Sequence, residues 1–221
     1  MRIAILTPPR TRAVPADIEE VQEIDAALHR LGHETVAATW FGANDRTRKA
    51  LDKANADIVF NLVHKGEDPA HIVTAFLDAI RVPYTGAHTQ ALEALADEPR
   101  MKATLAEGDL PVAEAPAEGR VFRVAVLETV LGPQVLPASP DPANGALLAD
   151  LQRLALAAWR IFALTGYARV DFRVDPDDHP FILAVNANPS LSADAGFCAA
   201  AAEAGMSQSD VVSHLLAAAQ N

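Results

Sequence analysis

The chain has 221 residues, half of them hydrophobic, and a formal charge of -11. So much apolar material buries one large core or two small ones and excludes a disordered chain, while the acidic balance excludes nucleic acid and anionic membranes, which select clustered Lys and Arg. No stretch approaches the roughly 20 apolar residues that cross a bilayer, and MRIAILTPPR lacks the apolar core of a secretory leader, so a soluble cytoplasmic protein is expected.

The first eighty residues alternate short apolar runs with amphipathic stretches: RIAILT, a helix from about Asp17, ETVAATW, a second helix, DIVFNLV and a third helix. That rhythm predicts a parallel sheet covered by helices. In the first helix Ile18, Val21, Ile24, Leu28 and Leu31 recur at spacings of three and four and form the expected core face, with Gly32 as the stop. TPPR, after the first strand, offers prolines where a phosphate loop needs glycines, which weakens a dinucleotide-binding reading. VPYTG reads as a short strand and turn, followed by two helical pieces to about Ala106.

A domain boundary is expected at residue 108, giving units 1–108 and 109–221. Beyond it VFRVAVLETV reads as a strand, and Leu147, Leu148, Leu151, Leu154, Ala158, Ile161 and Phe162 mark a long helix by their spacing. YARVDFRV and PFILAVNA form a hairpin through DPDDH, whose Asp and Pro content suits the turn. Ser207 and Asp210 open the last helix as a capping box. Cys198 is the single cysteine, so no intrachain disulfide or Cys-based zinc site forms, and its Ala-rich setting predicts a buried, inert thiol.

Alternation in the first hairpin strand puts Tyr167, Arg169, Asp171 and Arg173 on one face and Ala168, Val170, Phe172 and Val174 on the other. In the second strand the same rule puts Phe181, Leu183 and Val185 on the apolar face, with Ile182, Ala184, Asn186 and Asn188 opposite. Asp, Asn and Arg on a common face suit a hard cation and a polyphosphate, because magnesium takes oxygen ligands and arginine steadies phosphoryl charge. A solvated polar sheet face with charge pairs fits the same pattern. The seven histidines lack paired metal-ligand spacing, and no serine stands in a nucleophile elbow.

GYARVDFRV followed by ILAVNANPSLS, ADAGF and AAEAGMS resembles the closing signature of D-alanine:D-alanine ligases and their ATP-grasp relatives, whose pattern reads approximately ARVDF, LEVNPNP, LS. Upstream, FNLVHKGEDP resembles FNLLHG, VPYTGAHTQAL resembles IPYTGS, and EGRVFRVAVL resembles EGREFTVAVL, in the family's order. The resemblance implies an α/β chain: an amino-terminal parallel sheet with flanking helices, Rossmann-like and of the pre-ATP-grasp kind, joined to a reduced ATP-grasp carboxy-terminal α+β domain. It implies ATP and Mg2+ as cofactors. By position it places Arg169 on the transferring phosphoryl group, Asp171 and Asn186 on metal, and Lys102 on the nucleotide. His64, Lys65 and Glu67 fall near a first amino acid or dipeptide-like substrate, and Asn188, Ser190 and Leu191 near a second. His64 and Lys65 read equally as polar loop residues at a strand end. Relatives commonly form homodimers, which the Ala-rich helices permit.

Four departures stand against that pattern. Ala184 occupies the position of the bridging glutamate, and Ala113 to Ala117 stand where the family inserts a subdomain with a phosphate lysine, a flap and the adenine edge. Asp97-Glu98 replaces an Asp-Lys pair, leaving Lys102 one turn later, and the stretch from Pro137 to Leu147 is short. Magnesium among phosphates is usually held by one or two carboxylates, so the loss of one is serious. The expected function is therefore a degenerate D-alanine:D-alanine ligase-like protein, impaired in ligation and retained for ligand or partner binding. The alternatives are an active ATP- and Mg-dependent carboxylate-amine ligase working through an acyl phosphate, and a binding module built on the amino-terminal sheet.

Overall fold

A computed structural model describes residues 1–9, 18–63, 68–112, 118–193 and 196–220. The elements run β1 (Arg2–Thr7), α1 (Ile18–Arg30), β2 (Glu34–Thr39), α2 (Asp45–Ala54), β3 (Ile58–Asn61), α3 (Ala70–Ile80), α4 (Thr89–Ala96) and α5 (Glu98–Glu107). They continue with β4 (Arg120–Thr129), β5 (Gly132–Val135), α6 (Gly145–Ile161), β6 (Tyr167–Val174), β7 (Pro180–Asn186), α7 (Gly196–Glu203) and α8 (Gln208–Ala218). No helix among the described residues is long and apolar enough to cross a membrane.

The first sheet is parallel, in the order β2-β1-β3. Its strands β1 and β3 are buried on both faces, as helices on both sides require, while the edge strand β2 is largely open. Ile3 and Ile5 face α1, and Ala4 and Leu6 face α2 and α3. Local chemistry sets the helix ends: the Asn44 side chain caps α2 by accepting from the backbone of Arg46 and Thr47, and Asp97 does the same for α5 at Arg100. VPYTG is reduced to one bridge, in which Tyr84 pairs with Val59. Two backbone bonds hold it, Val59 N to Pro83 O at 2.8 Å and Thr85 N to Val59 O at 3.0 Å.

The second sheet is antiparallel, in the order β5-β4-β6-β7. One face, with Phe122, Val124, Val170, Phe172 and Ile182, packs on α4, α5 and α6. Helices α7 and α8 cover the Leu127 and Tyr167 end of the other face, where they meet α1 and share a core with Ile3, Ile5 and Phe60 of the first sheet. The sheets also touch through backbone. Gly166 has φ +70, and a Cβ there would stand 3.1 Å from Gly86 Cα, so a glycine is required where these two loops meet.

The core face of α1 differs from its apolar spacing. Ile18 is 47% exposed, while Glu20, Ile24, Ala27 and Leu28 are buried. The buried stripe follows spacings of four and three from position 20, and Ile18 lies six residues from Ile24, well off that stripe at about 100° per residue. Glu20, only 1% exposed, accepts hydrogen bonds from Ser190 Oγ at 3.0 Å and from the Leu191 backbone N–H. It thereby ties the first helix to the segment after β7. Glu20→Ala removes these charge-assisted bonds and is expected to lower the unfolding free energy by about 2–3 kcal/mol. Urea denaturation checks this as a lower midpoint at unchanged slope.

Candidate functional site

The polar face foreseen in the hairpin forms. Antiparallel pairing sets Arg169 opposite Asn186 and Asp171 opposite Ala184. On the other side of β6, Arg123 of β4 is the direct partner of Asp171. The face runs from Arg169 to Arg173 along β6 but breaks on β7, where the register shifts between Asp171 and Phe172. The extra residue is Leu183. Past it, Ile182 pairs with Phe172 and is buried, and Phe181 pairs with Arg173. Strict alternation put Phe181 on the apolar face and Ile182 opposite; one inserted residue reverses both, because the side-chain period is two.

The Arg169 guanidinium grips the Asp171 carboxylate at both oxygens, Nε to Oδ1 at 2.7 Å and Nη2 to Oδ2 at 3.0 Å. The two side chains are 27% and 22% exposed, so water screens this bidentate pair only in part. Asn186 Oδ1 accepts from the Asn188 backbone N–H at 2.9 Å, and Asn188 Oδ1 accepts from the Tyr167 hydroxyl at 2.7 Å. Tyr167 shares strand parity with Arg169 yet lies in the core, edge-on to Phe197. Burial pushes its phenol well above the usual tyrosine range, so it acts as a fixed neutral donor.

Ser190 and Leu191 follow this chain of contacts, both bonded to Glu20, and the Leu191 side chain is in the core. The Leu191 carbonyl accepts from Gln208 Nε2 and Cys198 Sγ, each at 3.1 Å, while Glu23 holds the Ala193 N–H at 2.8 Å. Glu20, Glu23 and Gln208 were missed in the sequence. The one available signal was Glu20 itself, an acid four residues before Ile24 on a stripe that continues through it. Lys102 pairs with Glu98 at 2.6 Å, one turn away on α5. That helix packs through Met101 and Leu105 into the core beneath the sheet, on the side opposite Arg169 and Asp171. His64, Lys65 and Glu67 lie outside the described residues, as do Ala113 to Ala117.

This donor set does not fit a magnesium ion bridging phosphates, which takes about six oxygens with one or two carboxylates among them. Among the described residues the face offers one carboxylate, already held by a guanidinium, one amide oxygen already accepting a hydrogen bond, and Ala184, which has no donor. Asp175, Asp177 and His179 gather at the hairpin turn, within 4.8 Å of one another. There Asp175 serves the turn itself, accepting from the backbone of Asp177 and His179, and these bonds hold its carboxyl below the usual range. A 410 Å³ cavity opens beside Asn186 and Asn188, walled by His71 at the start of α3 and by Leu92 and Leu95 of α4. A more apolar 660 Å³ cavity lies apart from the hairpin, between α1 and the β1 and β2 strands at Ile5, Val21 and Ala37.

Residues 138–217 match the family model described as the D-ala D-ala ligase C-terminus. The chain is 28% identical over 145 residues to an uncharacterised Sinorhizobium fredii protein, y4sG, covering 66% of this chain and 39% of that one. It is 32% identical over 80 residues to a D-alanine–D-alanine ligase of Cupriavidus pinatubonensis, covering 36% of this chain and 24% of the ligase. The matched stretches thus span well under half the length of these relatives. A Bacillus anthracis D-alanine–D-alanine ligase, solved in complex with ATP, has the same fold, with TM-score 0.85 at 16% identity over 100% of this chain and 97% of that one.

Cys198 stands behind the Ser190–Leu191 segment, where burial, reinforced by Glu23 and Glu20, pushes its thiol up to about 12. It is expected to resist a disulfide reagent at pH 8 in the native protein and to react as one thiol per chain in urea, counted by absorbance.

Proposed function

We propose that this chain is a degenerate ATP-grasp protein of the D-alanine:D-alanine ligase-like kind, impaired in ATP-dependent ligation and retained for binding a small ligand or a partner chain, a reading supported by the family-model match and the shared fold. The observation that carries this reading is the fate of Asp171: its carboxylate is clasped by Arg169, and its cross-strand neighbour is Ala184. The family uses ATP and Mg2+. Catalysis of phosphoryl transfer is almost wholly positioning and electrostatics, so a face without a second carboxylate lacks the means to place the metal. Lys102 adds little charge for a phosphate, since Glu98 neutralises it. The convergence of Arg169, Asp171 and Asn186 on one face favours a second reading, an active carboxylate-amine ligase whose nucleotide site a partner chain completes.

A magnesium-ATP titration on the purified chain, coupled to an assay of ADP release with D-alanine present, separates the two. The expected outcome is no magnesium-dependent rise in melting temperature and no ADP above the blank. ADP release in proportion to D-alanine sinks the first reading. Ala184→Glu is the converse test. It returns a carboxylate opposite Asp171 and is expected to create a magnesium-dependent rise of about 2–4 °C that the parent chain lacks.

A further inference from the structure

The first helix has a second side that the core does not use. Ile18, Val21, Gln22 and Asp25 recur at spacings of three and four and share one face of α1, roughly a third of a turn from the buried stripe of Glu20, Ile24, Ala27 and Leu28. These side chains wall the 660 Å³ cavity, whose floor is built from directly paired residues of β1 and β2, Ile5 with Ala37 and Thr7 with Thr39. Ile18, apolar and exposed, thereby forms part of a cavity wall. Ala37 stands on the edge strand, and its single methyl leaves the depth that a larger side chain would fill.

Asp25 is the one charged group among the described residues that line this cavity. Thr35, two residues before Ala37 on β2, donates its hydroxyl to Asp25 Oδ1 at 2.6 Å, and His29 Nε2 stands 3.6 Å from the same oxygen. One carboxylate oxygen is thus fixed, while among the described residues no hydrogen bond or ion pair engages Oδ2. Phe41, also in the lining, already carries the Arg46 guanidinium 3.6 Å from its ring centroid, so Asp25 and not the ring is the anchor left for a cation. A mostly apolar cavity of several hundred Å³ with a few convergent polar groups is the usual form of a small-molecule site. The complement of its one carboxylate is one positive charge, which a chain of charge -11 also attracts from a distance. No cation in the lining answers a carboxylate on the ligand, which disfavours an amino acid against the corresponding amine.

We propose that this cavity binds a small primary amine with an apolar body and no carboxylate, its ammonium on Asp25 and its body against Ile5, Val21 and Ala37. The site lies apart from the hairpin and stands whether or not the chain ligates. The test is an amide NMR titration of the full chain with phenethylamine, phenethyl alcohol and phenylalanine at physiological salt. Phenethylamine is expected to give saturable shifts centred on Val21, Gln22, Asp25, Ala37 and Thr39, and to bind roughly fivefold or more tighter than the other two. Asp25→Asn is expected to remove that preference for the amine, and Ala37→Leu, which fills the floor, to abolish binding of all three. Thermal melts matching the parent check that both variants are folded. Equal binding of amine and alcohol by the parent, or an amine affinity that Asp25→Asn leaves unchanged, overturns the proposal. Shifts spread over the acidic surface and indifferent to Ala37→Leu overturn it as diffuse attraction, and an absence of shifts overturns it outright.

Discussion

The arrangement depends on one buried carboxylate. Glu20 sits in the first helix, inside the core, and reaches residues 190 and 191, which follow the last strand. A charge taken out of water is tolerated only when its lone pairs are filled, and breaking such an arrangement costs more than making it gains. The contact therefore fixes how the two sheets stand relative to each other, because α1 belongs to the first and the Ser190 segment hangs from β7 of the second. Around it the shared core closes: α8 lies on α1, Phe197 meets Tyr167 edge-on, and the Leu191 carbonyl collects donors from Gln208 and Cys198. Tyr167 carries the order one step further, since its hydroxyl sets Asn188, whose backbone N–H sets the Asn186 amide beside Arg169.

That chain of contacts ends on the face where Arg169 and Asp171 pair. A guanidinium and a divalent cation answer the same carboxylate, and each excludes the other from its two oxygens. With Ala184 across the strand, no second acid among the described residues of the sheet shares this face, and the bidentate geometry favours the guanidinium. The same backbone sets Arg169, Asp171 and Asn186 on one face. The packing of the sheet is set by its buried side, at Val170, Phe172 and Ile182, and the character of the face by the residues on the other side.

Much of this was legible in the sequence because it follows from period and local chemistry. The alternating apolar runs gave β1, β2 and β3, the spacing from Leu147 to Phe162 gave α6, and the Ser207 capping box formed with Asp210. The pairing of Arg169, Asp171 and Asn186 on one face also followed from alternation. What escaped required knowledge of partners. The bulge at Leu183 is invisible along one strand, since it exists only as a mismatch with the neighbour, and it reversed Phe181 and Ile182. Tyr167 shared a parity with charged residues yet was buried, because α7 covers that end of the face and nothing in the strand announces a helix some 30 residues later. Glu20 is not part of the apolar spacing of α1, and the donors that let it be buried, at Ser190 and Leu191, stand far along the chain.

The packing of α8 against α1 also sets a timetable. Ile24, Ala27 and Leu28 find part of their covering in Val211, Val212, Leu215 and Leu216, which are synthesised close to 190 residues later. At about 5–20 residues per second, α1 emerges from the ribosome some 10–40 seconds before the helix that seals it. For that interval the apolar stripe of Ile24, Ala27 and Leu28 lacks this cover, and Glu20 at its amino-terminal end lacks the Ser190 and Leu191 donors that later enclose it.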